Sequence, residues 1–351
     1  METLAYVRLL AEGGTLSFDQ AKELMLNISG GAASASEAQM GAALTALSMR
    51  EPTVDELSGF VSAMRERVVK VEAKVKGKLV DMSRSGTYME TIDISTICGF
   101  VAAGAGATVA KHGNRTVAGV CGPADLIEAL GADIMLDSGK IAKSLETVGL
   151  AFLFAPVFHP SMKWAAQVRK QLRSRTIFSM LGPLTNPAGI RNMVVGASSI
   201  ERARKTVQIL KKLEYEHALV ISGAGGCDFI SPAGINSAIE LAGGDTKEIT
   251  VDPDSLAVKM QKIDGIGALE PNEAAKLCKR ILGGERLPAR NVIVANSAAL
   301  IYIAGLAGDL SEGAELARKS IDEGKAAEKL ATFVEFSNSL DYYGDENPAM
   351  R

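Results

Sequence analysis

Lys111-His112-Gly113-Asn114-Arg115 places an ammonium, an imidazole, an amide and a guanidinium within five residues. The cluster lies between an apolar, Gly- and Ala-rich stretch, 94–110, and the helically spaced Gly122-Pro123-Ala124-Asp125-Leu126-Ile127-Glu128-Ala129-Leu130-Gly131. Loops between regular elements are where a rigid scaffold carries its binding groups. A solvated turn with a helix start at Asp125 accounts for the same residues without a ligand, but a second polar cluster competes with that view. It runs His159-Pro160-Ser161-Met162-Lys163, then Arg169, then Arg173-Ser174-Arg175-Thr176-Ile177-Phe178 and Leu181-Gly182-Pro183-Leu184-Thr185-Asn186-Pro187. Two of only three histidines in the chain fall in these two clusters. Arginine presents a planar fork suited to carboxylate or phosphate. A site with Arg169, His112, His159 and Asn114 suits a small aromatic acid, its carboxylate on Arg169 and its amine on the Asn114 side-chain oxygen. For Arg169, a solvated helix face explains the pattern equally well.

The elements that must position these groups divide into two kinds. Residues 1–68 read as short helices, with Leu4, Val7, Leu10 and then Ala21, Leu24, Met25, Ile28 at helical spacing. Ser17 precedes Gln20 at capping-box spacing, Ser34 or Ser36 is placed to cap the next helix, and Thr53 to cap another. A domain of this size is marginal alone and is expected to lean on something else, such as a partner subunit. Beyond it, strands are expected at 78–82, 108–110, 152–155, 192–196, 217–222 and 291–295. Helices are expected at 94–105, 124–130, 199–213, 273–282, 297–307 and 312–323. This alternation predicts an α/β fold: a small helical domain and a larger α/β domain with a mainly parallel central sheet. The segment 164–179, helical and basic, sits awkwardly in that series. The tail, 341–351, is polar and expected to fray.

Composition narrows the class. The chain has 351 residues, 47% hydrophobic and 23% charged, which fits a globular enzyme rather than a disordered chain. A net charge of −3 gives no basic field for nucleic acid. Cys98, Cys121, Cys227 and Cys278 lie far apart without a CxxC pair, against a zinc site or a disulfide framework. Without a signal-peptide pattern at 1–12 or an uncharged apolar run of spanning length, a cytoplasmic protein is expected.

Together these segments make the chain resemble the anthranilate phosphoribosyltransferase family, within the broader glycosyltransferase family 3 and pyrimidine nucleoside phosphorylase fold. The resemblance spans roughly residues 1–340. It rests on Asp93-Ile94-Ser95-Thr96, on 111–115 with the helix after it, on 159–163, on 175–188, and on the closing segments 297–307 and 312–326. It implies a helical domain over 1–68 joined by a returning segment 164–188, and an α/β domain made of 69–163 and 189–340. It also implies a homodimer through the helical domain, and small-molecule rather than nucleic-acid or membrane partners. The implied reaction moves a phosphoribosyl group from phosphoribosyl pyrophosphate to the amine of anthranilate, as in tryptophan biosynthesis.

Carried over residue by residue, the resemblance puts His112, Asn114, His159 and Arg169 on the acceptor side. Asp93, Ser95, Thr96 and Lys111 fall on the phosphoribosyl pyrophosphate side. The family's glycine-rich pyrophosphate loop falls on Ser83-Arg84-Ser85-Gly86-Thr87, where one glycine survives, so Arg84, Ser85, Gly86 and Thr87 become the donor-binding candidates. The family's acidic metal pair falls on Asp228-Phe229, where a phenyl ring replaces one carboxylate. A weakened Mg2+ site on Ser95 and Asp228 is then expected, with Arg84 supplying charge the metal no longer supplies. Two other readings remain: a diverged paralogue with another donor or aromatic acceptor, and a non-catalytic binding dimer.

Overall fold

The computed structural model describes residues 2–84, 91–116, 119–174, 176–259 and 266–339. Four helices open the chain: α1 (Glu2–Ala11), α2 (Phe18–Ser29), α3 (Glu37–Ser48) and α4 (Val54–Arg67). Ser17 with Gln20, Ser36 with Gln39, and Thr53 with Glu56 form reciprocal capping boxes that start α2, α3 and α4. Of the two serines considered for α3, Ser36 is the cap. The buried stripe of α2 is Ala21, Leu24, Met25, Ile28 and Ser29, which follows the apolar spacing.

The α/β part follows with β1 (Leu79–Ser83), α5 (Ile94–Gly104), β2 (Thr108–Gly113), α6 (Pro123–Leu130), α7 (Ser138–Thr147) and β3 (Leu150–Phe154). Two short turns, α8 (Ala155–Phe158) and α10 (Phe178–Leu181), flank α9 (Lys163–Leu172). Then come β4 (Asn192–Gly196), α11 (Ile200–Lys212), β5 (His217–Ser222), β6 (Asn236–Ala242) and β7 (Asp245–Val251). The last helices are α12 (Pro271–Leu282), α13 (Pro288–Ile303), α14 (Leu310–Asp322) and α15 (Lys325–Asn338).

The sheet order is β3-β2-β1-β4-β5-β6-β7, parallel from β3 to β5 and antiparallel at β6 and β7. Ser83 pairs with Val195, Gly113 with Phe154, and Gly196 with Ile221, so the carboxyl ends of five strands share one edge. The order reverses between β1 and β4, and that crevice is where open α/β sheets receive ligands. Strand side chains alternate between two cores. Val194, Leu219 and Phe152 face α5, α13 and α15. Met193, Val195, Val220 and Leu153 join Leu24, Leu44 and Phe60 of the opening helices in a second core. Both faces are covered, as a parallel sheet requires. Helix α9 returns to α2 and α3, as the basic segment at 164–179 must for its apolar residues Ala165 and Val168 to be buried.

Several expectations are corrected. Residues 291–295 are not a strand; they lie inside α13, with Val292, Ile293, Val294 and Ala295 buried. A short apolar run does not distinguish a buried strand from a buried helix, and the sixteen residues of α13 decide it. Lys111, His112 and Gly113 are the last residues of β2, not a loop. The hairpin β6–β7, turned by Gly243 and Gly244 at φ of 57° and 89°, was not expected, nor was α7. The opening helices do lean on something beyond themselves, sharing a core with the sheet of the same chain. Residues 341–351 lie outside the described residues.

Candidate active site

Strand β2 turns the side chains of its last residues to opposite sides. Lys111 is buried and its Nζ donates to the Met82 carbonyl at 2.8 Å, to the His112 carbonyl at 3.2 Å and to Asp81 Oδ1 at 3.4 Å. All three N–H donors are thereby met by protein acceptors, so Lys111 braces β1 against β2. Asp81 also accepts from the His112 backbone at 3.2 Å and from Asn186 Nδ2 at 3.1 Å. Burial pushes the Asp81 carboxyl up, and Lys111 with these hydrogen bonds pulls it back. Asp81 is the residue the motif reading passed over. An acid inside the apolar run Leu79–Ser83 was its signal, because a buried carboxylate must be paired.

His112 points the other way, toward His159 at the end of α8, with ring centroids 5.2 Å apart. His112 Nδ1 lies 3.2 Å from the Gly182 carbonyl, which only accepts, so Nδ1 carries the proton and Nε2 is a bare acceptor. Among the described residues, neither His112 Nε2 nor His159 Nε2 has a hydrogen-bond partner. Burial, His159 and Lys111 push the His112 imidazole well below its ordinary range. Burial likewise pushes His159 down to about 4, against a Thr185 backbone hydrogen bond that raises it. Arg169, half-buried on α9, lays its guanidinium carbon 5.1 Å from the centre of the Phe178 ring. Burial lowers its pKa, and no carboxylate of the described residues offsets that. The segment 178–185 therefore touches Arg169 through Phe178, His112 through Gly182 and His159 through Thr185. Residue type gives no signal for Phe178 and Gly182, whose parts come from these contacts.

Asn114 is exposed just beyond β2, its Oδ1 accepting from the Arg115 backbone at 2.7 Å. Arg115 itself is spent on the start of α6, where it pairs with Asp125 at 3.1 Å and forks onto Glu128.

The residues expected on the donor side are more closed. Asp93 caps α5, accepting from the Thr96 backbone at 3.2 Å and from the hydroxyls of Ser95 and Thr96 at 2.8 and 2.5 Å. Ser95 and Thr96 turn their hydroxyls to that cap, at the N-terminus of α5. Arg84, at the end of β1, donates from Nε to Asp228 Oδ1 at 2.8 Å and places Nη2 2.6 Å from the same oxygen. The expected metal set of Ser95 and Asp228 does not fit a cation: the serine hydroxyl is given to Asp93, and the buried Asp228 carboxylate to a guanidinium. Among the described residues no three His, Cys, Asp or Glu side chains converge to hold a metal. Ser85, Gly86 and Thr87 lie outside the described residues.

Residues 76–327 match the Glycosyl transferase family a/b domain, and residues 4–68 match its helical bundle domain. The anthranilate phosphoribosyltransferase of Aquifex aeolicus is 38% identical over 335 residues, covering 95% of this chain and 98% of that one. The chain belongs to the anthranilate phosphoribosyltransferase family. The Desulforamulus reducens enzyme of that name is 40% identical over 334 residues, covering 95% of this chain and 96% of its own. The crystal structure of the Thermus thermophilus member superposes with a TM-score of 0.87 at 33% identity, covering 95% of this chain and 99% of that one. A Saccharomyces cerevisiae member solved with PRPP and Mg superposes equally well, and at 24% identity its likeness is one of fold. The helical-bundle match ends at residue 68 and the a/b match begins at residue 76. No helix among the described residues is long and apolar enough to cross a membrane.

Proposed function

We propose that the chain transfers the phosphoribosyl group of phosphoribosyl pyrophosphate to the amine of anthranilate and releases pyrophosphate. The observation that carries this reading is the acceptor side. Two neutral imidazoles present bare Nε2 acceptors, and one half-buried guanidinium has no carboxylate among the described residues. An aromatic ring bearing an amine and a carboxylate complements that set: N–H groups toward the imidazoles and Asn114, carboxylate toward Arg169. In the reaction the bond from the anomeric carbon to pyrophosphate oxygen breaks and a bond to nitrogen forms. The arylamine attacks as a neutral nucleophile, so no strong base is required. Imidazoles held neutral orient the amine, and once the new C–N bond makes the nitrogen positive its proton passes to the released pyrophosphate or to solvent. Aiming the lone pair at the anomeric carbon supplies much of the rate.

Loss of anthranilate fluorescence on adding phosphoribosyl pyrophosphate tests the reading, and no turnover with or without Mg2+ would sink it. The Arg84–Asp228 pair favours one second reading, a paralogue with a different phosphorylated donor. That reading expects thermal stabilisation by another sugar phosphate and none by phosphoribosyl pyrophosphate, since a ligand raises apparent stability only where it binds the folded state. We also infer a homodimer through the helical part, where Leu4, Met49 and Trp164 are exposed. A monomer in sedimentation velocity would remove that inference.

A further inference from the structure

The crevice between β1 and β4 is closed from above by an ion pair. Gly196 ends β4, and a Cβ there would stand 1.9 Å from the Asp228 carbonyl oxygen, so the turn after β5 lies directly on the strand end. That approach delivers the Asp228 carboxylate, 0% exposed, to Arg84 at the end of β1. Arg84 is held from three sides: Asp228 accepts from Nε, Thr91 accepts from Nη1, and the Phe229 ring centre lies 5.2 Å from the guanidinium carbon. A hard divalent ion requires several oxygen ligands. Here one carboxylate is committed, its neighbour in sequence is a phenyl ring, and the Ser95 hydroxyl is committed to Asp93. A guanidinium satisfies a single buried carboxylate with fixed donors and a permanent charge.

We infer that Arg84 is the resident cation of the donor side, seated on Asp228 where a divalent ion would otherwise bind, so that the chain holds no metal on Asp228. This deepens the transferase reading, which supplies the phosphorylated donor. Its test reads metal binding rather than turnover, so the two can fail separately.

The probe is Mn2+ alone, with the free ion followed by electron paramagnetic resonance on the full chain. Wild type and Asp228→Asn are expected to bind Mn2+ alike. Arg84→Ala frees the carboxylate and is expected to bind about tenfold tighter than wild type, and Arg84→Ala/Asp228→Asn to lose that gain. If near-UV circular dichroism shows Arg84→Ala unfolded, Arg84→Gln replaces it, keeping an amide donor toward Asp228 while removing the charge. Weakening of wild-type Mn2+ binding by about tenfold in Asp228→Asn overturns the inference. So does a folded Arg84 variant that gains no Mn2+ affinity, since the carboxylate would then be no cation seat at all.

Discussion

At neutral pH His112 and His159 both stay uncharged, because each ring is buried and a charge on one would lie beside the other. The sign of the resulting pH dependence follows. A histidine whose folded pKa is about 4 binds fewer protons than the unfolded chain between that value and about 6.5. Its contribution is complete above the unfolded value and is lost as pH falls through the window, by at most about 1.4 kcal/mol per unit. Melting wild type and His159→Asn at pH 7 and pH 5 checks this: the acid loss in melting temperature should be smaller in the variant. Equal losses would place the acid sensitivity elsewhere. For Arg169→Ala, the KM for anthranilate should rise at least tenfold, about 1.4 kcal/mol, while the KM for the donor changes little. Comparable rises in both would move Arg169 off the acceptor. The residues proposed for the acceptor, His112, Asn114, His159 and Arg169, announce themselves by type. Lys111 was not legible in the same way: its role turns on Asp81, thirty residues earlier, and only strand pairing brings the two together.

Among the elements, the end of β4 is the least forgiving. The atom facing Gly196 is a main-chain oxygen, which cannot swing aside as a flexible side chain would. Gly196→Ala must push the 226–229 turn off the sheet and is expected to cost about 1–3 kcal/mol as an overpacked contact. Urea unfolding measures it, and a loss below about 0.5 kcal/mol, the range of surface changes, would show that the turn yields freely. Element type was readable where local signals were complete. The capping boxes of α2, α3 and α4 start where their side chains indicated, and β4 and β5 span the residues that their apolar runs marked. It failed at α13, whose uniform apolarity hides its period, and at β6–β7, where the exposed second strand has little apolar pattern to detect. The Gly243-Gly244 pair was a hairpin signal that went unused.

At the scale of the molecule, the two family domains do not have one core each. Phe60, Leu24 and Leu44 belong to the same buried cluster as Met193, Val195 and Val220 of the sheet. Polar ties reinforce this: Arg65 donates to the Leu184 carbonyl at 3.0 Å and to the Tyr215 hydroxyl at 2.8 Å, and the Val71 backbone donates to Pro187 at 3.1 Å. Composition showed that a helical unit of this size needed support, but not that the support was one face of the chain's own sheet. A fragment of residues 1–72 removes that face together with α9, exposing apolar surface that so short a chain cannot cover in another way. It should retain helical far-UV dichroism while losing near-UV bands and a cooperative urea transition. A fragment that unfolds cooperatively would show that the four helices carry a sufficient core of their own, and that the shared cluster is two cores in contact.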